Sequence, residues 1–207
     1  MSDPDSDFSR VLERYLSKEQ SARIARAHVG IAGAGGLGSN CAMHLVRSGF
    51  ERFTIVDFDV IEPSNLNRQF YFADQIGRPK VECLKENLRR INPSVSVRSY
   101  QVRLTADTMR GIFDPCDVVI EAFDGAADKA SLVSAFAASG KLVVSASGLA
   151  GIGDSDGIVT RRVGENVYVV GDERSSVEKG FRPYAPRVGV AAAKMADIVL
   201  SRIPGPA

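Results

Sequence analysis

The residues Gly33-Ala-Gly35-Gly36-Leu-Gly38 follow a short apolar run and open a stretch with helical spacing. Glycines let a backbone turn tightly and approach a phosphate. A helix starting there also presents unpaired N–H groups and its positive dipole end. A glycine pattern alone is weak, and the strand–turn–helix setting strengthens it. Asp57 lies 19 residues past Gly38, at the end of a second β-branched run. That is close to the spacing of a carboxylate that takes ribose hydroxyls. Asp59, Asn65, Arg68 and Gln69 follow within a polar segment. An arginine and a glutamine just past a ribose site suit a triphosphate, whose outer phosphates call for cationic, forked donors. Lys80 comes after Gly77-Arg-Pro at the start of a helix and offers a second cation. A cation is unfavourable at that end of a helix, so its siting asks for a reason beyond propensity. Asp124 ends another apolar run and could hold Mg²⁺, which prefers carboxylate, water and phosphate oxygens.

These residues need a scaffold that brings strand ends together. Apolar runs at 28–33, 53–57, 117–124 and 141–147 read as buried strands, with an alternating strand from Val95 to Arg103. Helical spacing covers 37–48, 80–91, 105–113 and 126–139, with a final helix at 188–202. Strands alternating with helices predict an α/β fold: a Rossmann-like, mostly parallel sheet with helices on both faces. Right-handed crossovers then place the strand C-termini on one edge, where ligands bind. Residues 1–27 read as a charged helical segment with Leu12, Leu16 and Ile24 as its apolar stripe. Residues 151–184 read as a Gly-rich loop or short hairpin. Without an internal repeat or a low-complexity linker, residues 1–207 read as a single domain.

Composition narrows the function classes. Hydrophobic residues at 44% and charged residues at 25% allow an ordinary core. A formal net charge of +1 supplies no global field to gather nucleic acid or an anionic membrane. No apolar run approaches the ~20 residues of a membrane helix, and the acidic N-terminus lacks the basic, apolar pattern of a secretory signal. A cytoplasmic location is the expectation. Cys41, Cys83 and Cys116 are far apart and form no C-x-x-C pair, and His28 and His44 do not complete a zinc set. Three buried thiols are expected, and no zinc.

The blocks G-A-G-G-L-G-S-N, D-F-D, S-N-L-N-R-Q, I-G-R-P-K and A-F-D occur in this order over residues 29–124. Together they resemble the ThiF/MoeB/ubiquitin-activating-enzyme superfamily. Weaker similarity continues through Ser145-Ala-Ser-Gly148 and Ala185-Pro-Arg-Val-Gly-Val-Ala-Ala-Ala193. The phrasing is closest to the short ThiF-like adenylyltransferases linked to thiamine biosynthesis. The resemblance implies that Gly33, Gly35, Gly36 and Gly38 back the nucleotide phosphates and that Asp57 takes the ribose, with Asp59 supporting from behind. It implies that Asn65, Arg68 and Gln69 face the triphosphate, Lys80 supports it and Asp124 positions Mg²⁺. It also implies an arginine from the N-terminal helix of a neighbouring subunit, for which Arg14 is the candidate and Arg10 the alternative.

The activity so implied is ATP- and Mg²⁺-dependent adenylation of the C-terminal glycine carboxylate of a small ubiquitin-like sulfur carrier protein. Pyrophosphate leaves, a separate sulfur donor acts afterwards, and the enzyme is a homodimer. The carrier's carboxylate is itself the nucleophile, so catalysis is mainly positioning and charge neutralisation. The chain departs from many relatives in having no cysteine after Cys116. It therefore lacks both the family's four-cysteine zinc site and a crossover-loop cysteine, and adenylation without a thioester or persulfide is expected. An NAD-dependent oxidoreductase is the alternative from the glycine loop and Asp57. It leaves Arg68, Gln69, Lys80 and Asp124 without a role. A non-catalytic nucleotide- or carrier-binding protein is another, and activation of a peptide C-terminus or an RNA adenosine a third.

Overall fold

The computed structural model describes residues 8–175 and 180–204. Its centre is a seven-stranded sheet in the order β3-β2-β1-β4-β5-β7-β6. The strands are β1 (His28–Ala32), β2 (Arg52–Val56), β3 (Ser96–Tyr100), β4 (Val118–Glu121), β5 (Leu142–Ala146), β6 (Val159–Arg162) and β7 (Val167–Gly171). All neighbours are parallel except β6, which pairs antiparallel with β7. The single reversed strand departs from the expectation that every strand C-terminus shares one edge. A tight hairpin at residues 163–166 turns the chain straight back, and only antiparallel strands can be joined so briefly.

The inner strands β1, β4 and β5 are buried along their whole length because both faces of the sheet are covered, while the edge strands β3 and β6 carry exposed polar residues. Ile31, Ile55, Ile120 and Val144 point to one core, with Leu45, Leu84 and Met195 from the helices α3 (Gly36–Arg47), α4 (Lys80–Ile91) and α7 (Ala185–Arg202). Val56, Val119 and Val143 point to the other, against Phe113 and Phe136 of α5 (Ala106–Phe113) and α6 (Ala126–Phe136). Each fully buried branched or aromatic side chain contributes roughly 1.5–3 kcal/mol of transfer free energy.

The N-terminal segment forms two short helices, α1 (Phe8–Leu12) and α2 (Lys18–Arg26), where the sequence suggested one. Ser17 breaks it by starting a fresh helix: its hydroxyl accepts from Gln20 N–H while the Gln20 side chain accepts from Ser17 N–H. The final helix begins at Ala185 rather than 188, with Pro186 in its first turn, where the missing N–H costs nothing.

The sheet order reverses between β1 and β4, the switch point beyond which doubly wound folds bind ligands. Register sets what meets there. Ala32 pairs with Val56 on one side and with Glu121 on the other. Gly33, Asp57 and Ala122, the next residues of their chains, therefore arrive at one level of the sheet edge. Among the described residues no helix is long and apolar enough to cross a membrane.

Candidate active site

A cleft of about 900 Å³ opens at this edge. Its wall includes Gly35, Gly36, Arg68, Gln69 and Asp124 from the predicted set, joined by Lys129, Ser147 to Ala150, Arg174, Arg182 and Tyr184.

The glycines divide into those that build the turn and those that face the cleft. Gly33 has φ +104°, and a Cβ there would lie 2.6 Å from the Ala122 carbonyl oxygen. A Cβ on Gly38 would fall on the Gly33 carbonyl, so α3 can start where it does only with glycine at that place. Neither residue lines the cleft. Gly35 and Gly36 do, and Gly35 caps α3 without any side-chain hydrogen bond. The helix therefore presents uncapped N–H groups and its positive end to the cleft.

The residues after this turn clamp the next loop. Asn40 Nδ2 donates to the Gly36 carbonyl at 2.7 Å and to the Arg68 carbonyl at 2.8 Å. Ser39 Oγ accepts from Phe70 N–H at 3.0 Å, and Tyr71 Oη donates to the Ala34 carbonyl at 2.7 Å. Asn65 closes the turn before Arg68, its Oδ1 accepting from Glu62 N–H at 3.1 Å. Asn65 is thus part of the loop's frame and does not line the cleft. Arg68, half-buried, is steadied by the Ser64 carbonyl at 3.1 Å and Asn67 Oδ1 at 2.7 Å. Among the described residues it has no carboxylate partner. Gln69 is buried in the wall, and its Oε1 has no hydrogen-bond partner, an acceptor left open for a ligand donor.

Asp57 stands at the end of β2 with both oxygens engaged. Oδ2 accepts from Ala34 N–H at 2.6 Å and Oδ1 from Asp59 N–H at 2.8 Å. Burial pushes its carboxyl above the ordinary aspartate value, against the pull of those two N–H groups and of Lys80. Lys80 is buried, and its Nζ lies 2.7 Å from Asp59 Oδ2. This pair supplies the reason for a cation at the start of α4. It also keeps Lys80 off the cleft wall, and Asp57 and Asp59 are not among the residues that line the cleft either.

Asp124 is exposed on the wall and makes no side-chain hydrogen bond or ion pair among the described residues. No group of three or more His, Cys, Asp or Glu able to hold a metal occurs among those residues. A lone carboxylate fits Mg²⁺ only together with phosphate oxygens and water, as nucleotide enzymes hold it. Arg14 is exposed, in the turn after α1. The neighbouring Leu12 and Leu16 pack with Ile24 around Gly49, just before β2 begins, at the sheet edge opposite the cleft. Arg14 therefore cannot reach the cleft of its own chain. Arg10 belongs to α1, but its side chain lies outside the described residues.

Sequence reasoning passed over Lys129, Arg174, Arg182 and Tyr184. Lys129 had a faint signal, a lysine in the first turn of an Ala-rich helix five residues after Asp124. The others had none, because β6, β7 and the approach to α7 reach the cleft only through long-range packing. The three thiols are free and buried as expected, and burial raises the Cys116 thiol to about 11.

A glycine loop leading into an uncapped helix, an acid at the end of the neighbouring strand and cations around an open cleft are the features of the nucleotide-binding class of α/β folds. The ThiF family model matches residues 8–202, and the chain belongs to the ThiF family. It is 39% identical over 110 residues to the "Sulfur carrier protein adenylyltransferase" of Thermus thermophilus, a match covering 53% of this chain and 41% of that protein. It is 31% identical over 144 residues to the "Adenylyltransferase and sulfurtransferase MOCS3" of Anopheles gambiae, covering 69% of this chain and 33% of that protein. The matched region thus spans less than half of each curated relative. Among solved structures, an E. coli tRNA N6-threonylcarbamoyladenosine dehydratase, TcdA, in complex with ATP superposes with a TM-score of 0.78 at 24% identity, covering 94% of this chain and 91% of that one. At that identity the likeness is one of fold.

Proposed function

We propose that this protein adenylates the C-terminal carboxylate of a small ubiquitin-like sulfur carrier protein, using ATP and Mg²⁺ and releasing pyrophosphate. The observation that carries the reading is the cleft's composition. The uncapped N-terminus of α3, Arg68, Lys129 and the open acceptor of Gln69 meet the free carboxylate of Asp124 in one cavity. The sulfur carrier adenylyltransferase of Thermus thermophilus supports the choice of substrate. The motif phrasing of Asp57-Phe-Asp59-Val and Asn65-Leu-Asn67-Arg68-Gln69 supports a place in thiamine biosynthesis.

In this reading Asp57 receives the ribose hydroxyls and the glycine loop faces the phosphates. A carboxylate oxygen of the carrier attacks the α-phosphorus. The bond from that phosphorus to the bridging oxygen breaks, and its electron pair leaves with pyrophosphate. Attack brings an anion toward a polyanion, so the dominant catalytic contribution is fixed positive charge placed before the reaction starts. Arg68 supplies it from the β2 side. Asp124 would hold Mg²⁺, which neutralises charge on the phosphates. The carrier's tail enters past Ser147–Ala150, Arg174, Arg182 and Tyr184, which line the cleft. The described cysteines are buried and take no part, so a separate donor supplies sulfur.

ATP–pyrophosphate exchange tests this directly. A ThiS-like carrier ending in Gly-Gly is expected to support Mg²⁺-dependent exchange, and the same carrier shortened by its last glycine is not. Exchange indifferent to the tail would rule out carboxylate adenylation. Tight binding of NADH without ATP binding would revive hydride transfer.

A further inference from the structure

Glu121 ends β4 and is fully buried, yet it carries a carboxylate. Its Oε1 accepts from Phe123 N–H at 2.7 Å and from Lys129 Nζ at 3.0 Å. Its Oε2 accepts from Lys129 Nζ at 3.2 Å and from Ser145 Oγ at 2.5 Å. One side chain therefore fixes the turn leading to Asp124, the end of β5 and the first turn of α6. The Lys129 side chain is 22% exposed and forms part of the cleft wall.

The arrangement is costly for the fold alone. A lysine in the first turn of α6 opposes the helix dipole. Burying a carboxylate to hold it incurs desolvation that apolar residues of similar size would avoid. Its placement gives a reason. In the sheet β2 and β4 flank β1, so the glycine loop after β1 has Arg68 on one side and Lys129 on the other. Arg68 is steadied by neutral acceptors, and Lys129 by Glu121.

Resting on the adenylation reading above, we propose that Lys129 is a second catalytic cation of the cleft, contacting the ATP polyphosphate from the β4 side. Glu121 is the positioning residue that aims the Lys129 ammonium and sets the Asp124 turn. A lone bridge between β4 and α6 would need no access to the cleft, and Lys129 has it.

Calorimetry with Mg–ATP and with adenosine, which has no phosphate, separates the roles. Lys129→Met is expected to weaken ATP binding roughly 10- to 100-fold and leave adenosine binding unchanged. Lys129→Arg, which keeps the charge, restores most of the ATP affinity. Lys129→Met strands the Glu121 carboxylate and can unfold the chain. The double variant Glu121→Gln/Lys129→Met removes the stranded charge, regains the thermal midpoint and still binds ATP weakly. Glu121→Gln alone weakens ATP selectively, by less, and adds nothing to the loss from Lys129→Met, because the glutamine oxygen still accepts from Phe123 N–H and holds the Asp124 turn while only the grip on that lysine is lost. Normal ATP affinity in a folded double variant, or parallel losses for ATP and adenosine, would overturn the proposal while leaving the adenylation reading intact. A wild-type chain that binds no ATP would overturn both.

Discussion

Burial of Asp57 raises its pKa, while N–H groups from Ala34 and Asp59 pull it down, and burial wins. The sign of the consequence differs between folding and binding. A folded-state pKa above the unfolded one means that the stability this group contributes is present below the unfolded value and is lost as pH rises through the folded one. At neutral pH the ionised carboxylate is thus a cost to the fold. Ribose hydroxyls need it ionised, as an acceptor, and protonation also weakens its hold on Ala34 at the base of the glycine loop. Adenosine affinity is therefore expected to fall on acidification at a pH above the ordinary aspartate range, while the contribution of Asp57 to stability rises. Titration calorimetry of the wild type and Asp57→Asn checks this. A pH step that persists in the asparagine variant would exclude Asp57 as its source.

At the scale of elements, the start of α7 ties two loops at the rim of the cleft together through one buried side chain. Arg187 Nη1 donates to the carbonyls of Gly153, at 2.6 Å, and Asp154. Its Nη2 lies 2.5 Å from Asp172 Oδ2. Two separate loops, after β5 and after β7, thereby share a single guanidinium. Burial alone would raise the Asp172 carboxyl. Hydrogen bonds from Ser175 and Arg174 N–H and the charge of Arg187 outweigh it and hold the group below the usual aspartate value. A depressed pKa contributes stability above the unfolded value that is lost as pH falls through the folded one. Asp172→Asn leaves Arg187 buried without its counter-charge and should cost about 3 kcal/mol at neutral pH. The gap between variant and wild-type melting temperatures should narrow as pH is lowered below the ordinary aspartate range. A gap that stays constant would assign the loss to packing instead of charge.

At the scale of the whole molecule, the N-terminal helices lie at the sheet edge away from the cleft. An arginine on them could serve catalysis only in another copy's cleft, so the proposal that Arg14 acts in trans requires a homodimer. Complementation tests it. Arg68→Ala and Arg14→Ala should each lower exchange by roughly 10²–10³-fold, the scale of losing one preorganised donor. Mixed after dissociation, the two should recover about one quarter of wild-type activity, because half the dimers are mixed and each mixed dimer has one complete site. Recovery absent despite mixed dimers would mean that a single chain supplies both arginines to its own site. An active Arg14→Ala chain would move the role to Arg10 or remove it.

The sequence alone determined the alternation of strand and helix, the glycine turn and the acid at the end of the second strand. These are local in origin: runs buried on both faces read as unbroken apolar stretches, and a turn that admits no Cβ must be glycine at Gly33 and Gly38. The motif order also made the ThiF family legible, and the family model over residues 8–202 agrees. Roles within the motifs were not legible. Lys80 and Asp59 look like ligand residues in a linear pattern, and only packing shows that they pair with each other off the cleft wall. Asn40 reads as an ordinary helix residue until the Arg68 loop folds against it. Lys129 and Glu121 are eight residues apart in the chain, but that they meet, and that the lysine faces the cleft, depends on where α6 lands after leaving β4. Local propensity fixes what each segment becomes. Which side chains share a cavity is decided by register and by the order of strands in the sheet, and those follow from long-range burial that no single stretch of sequence contains.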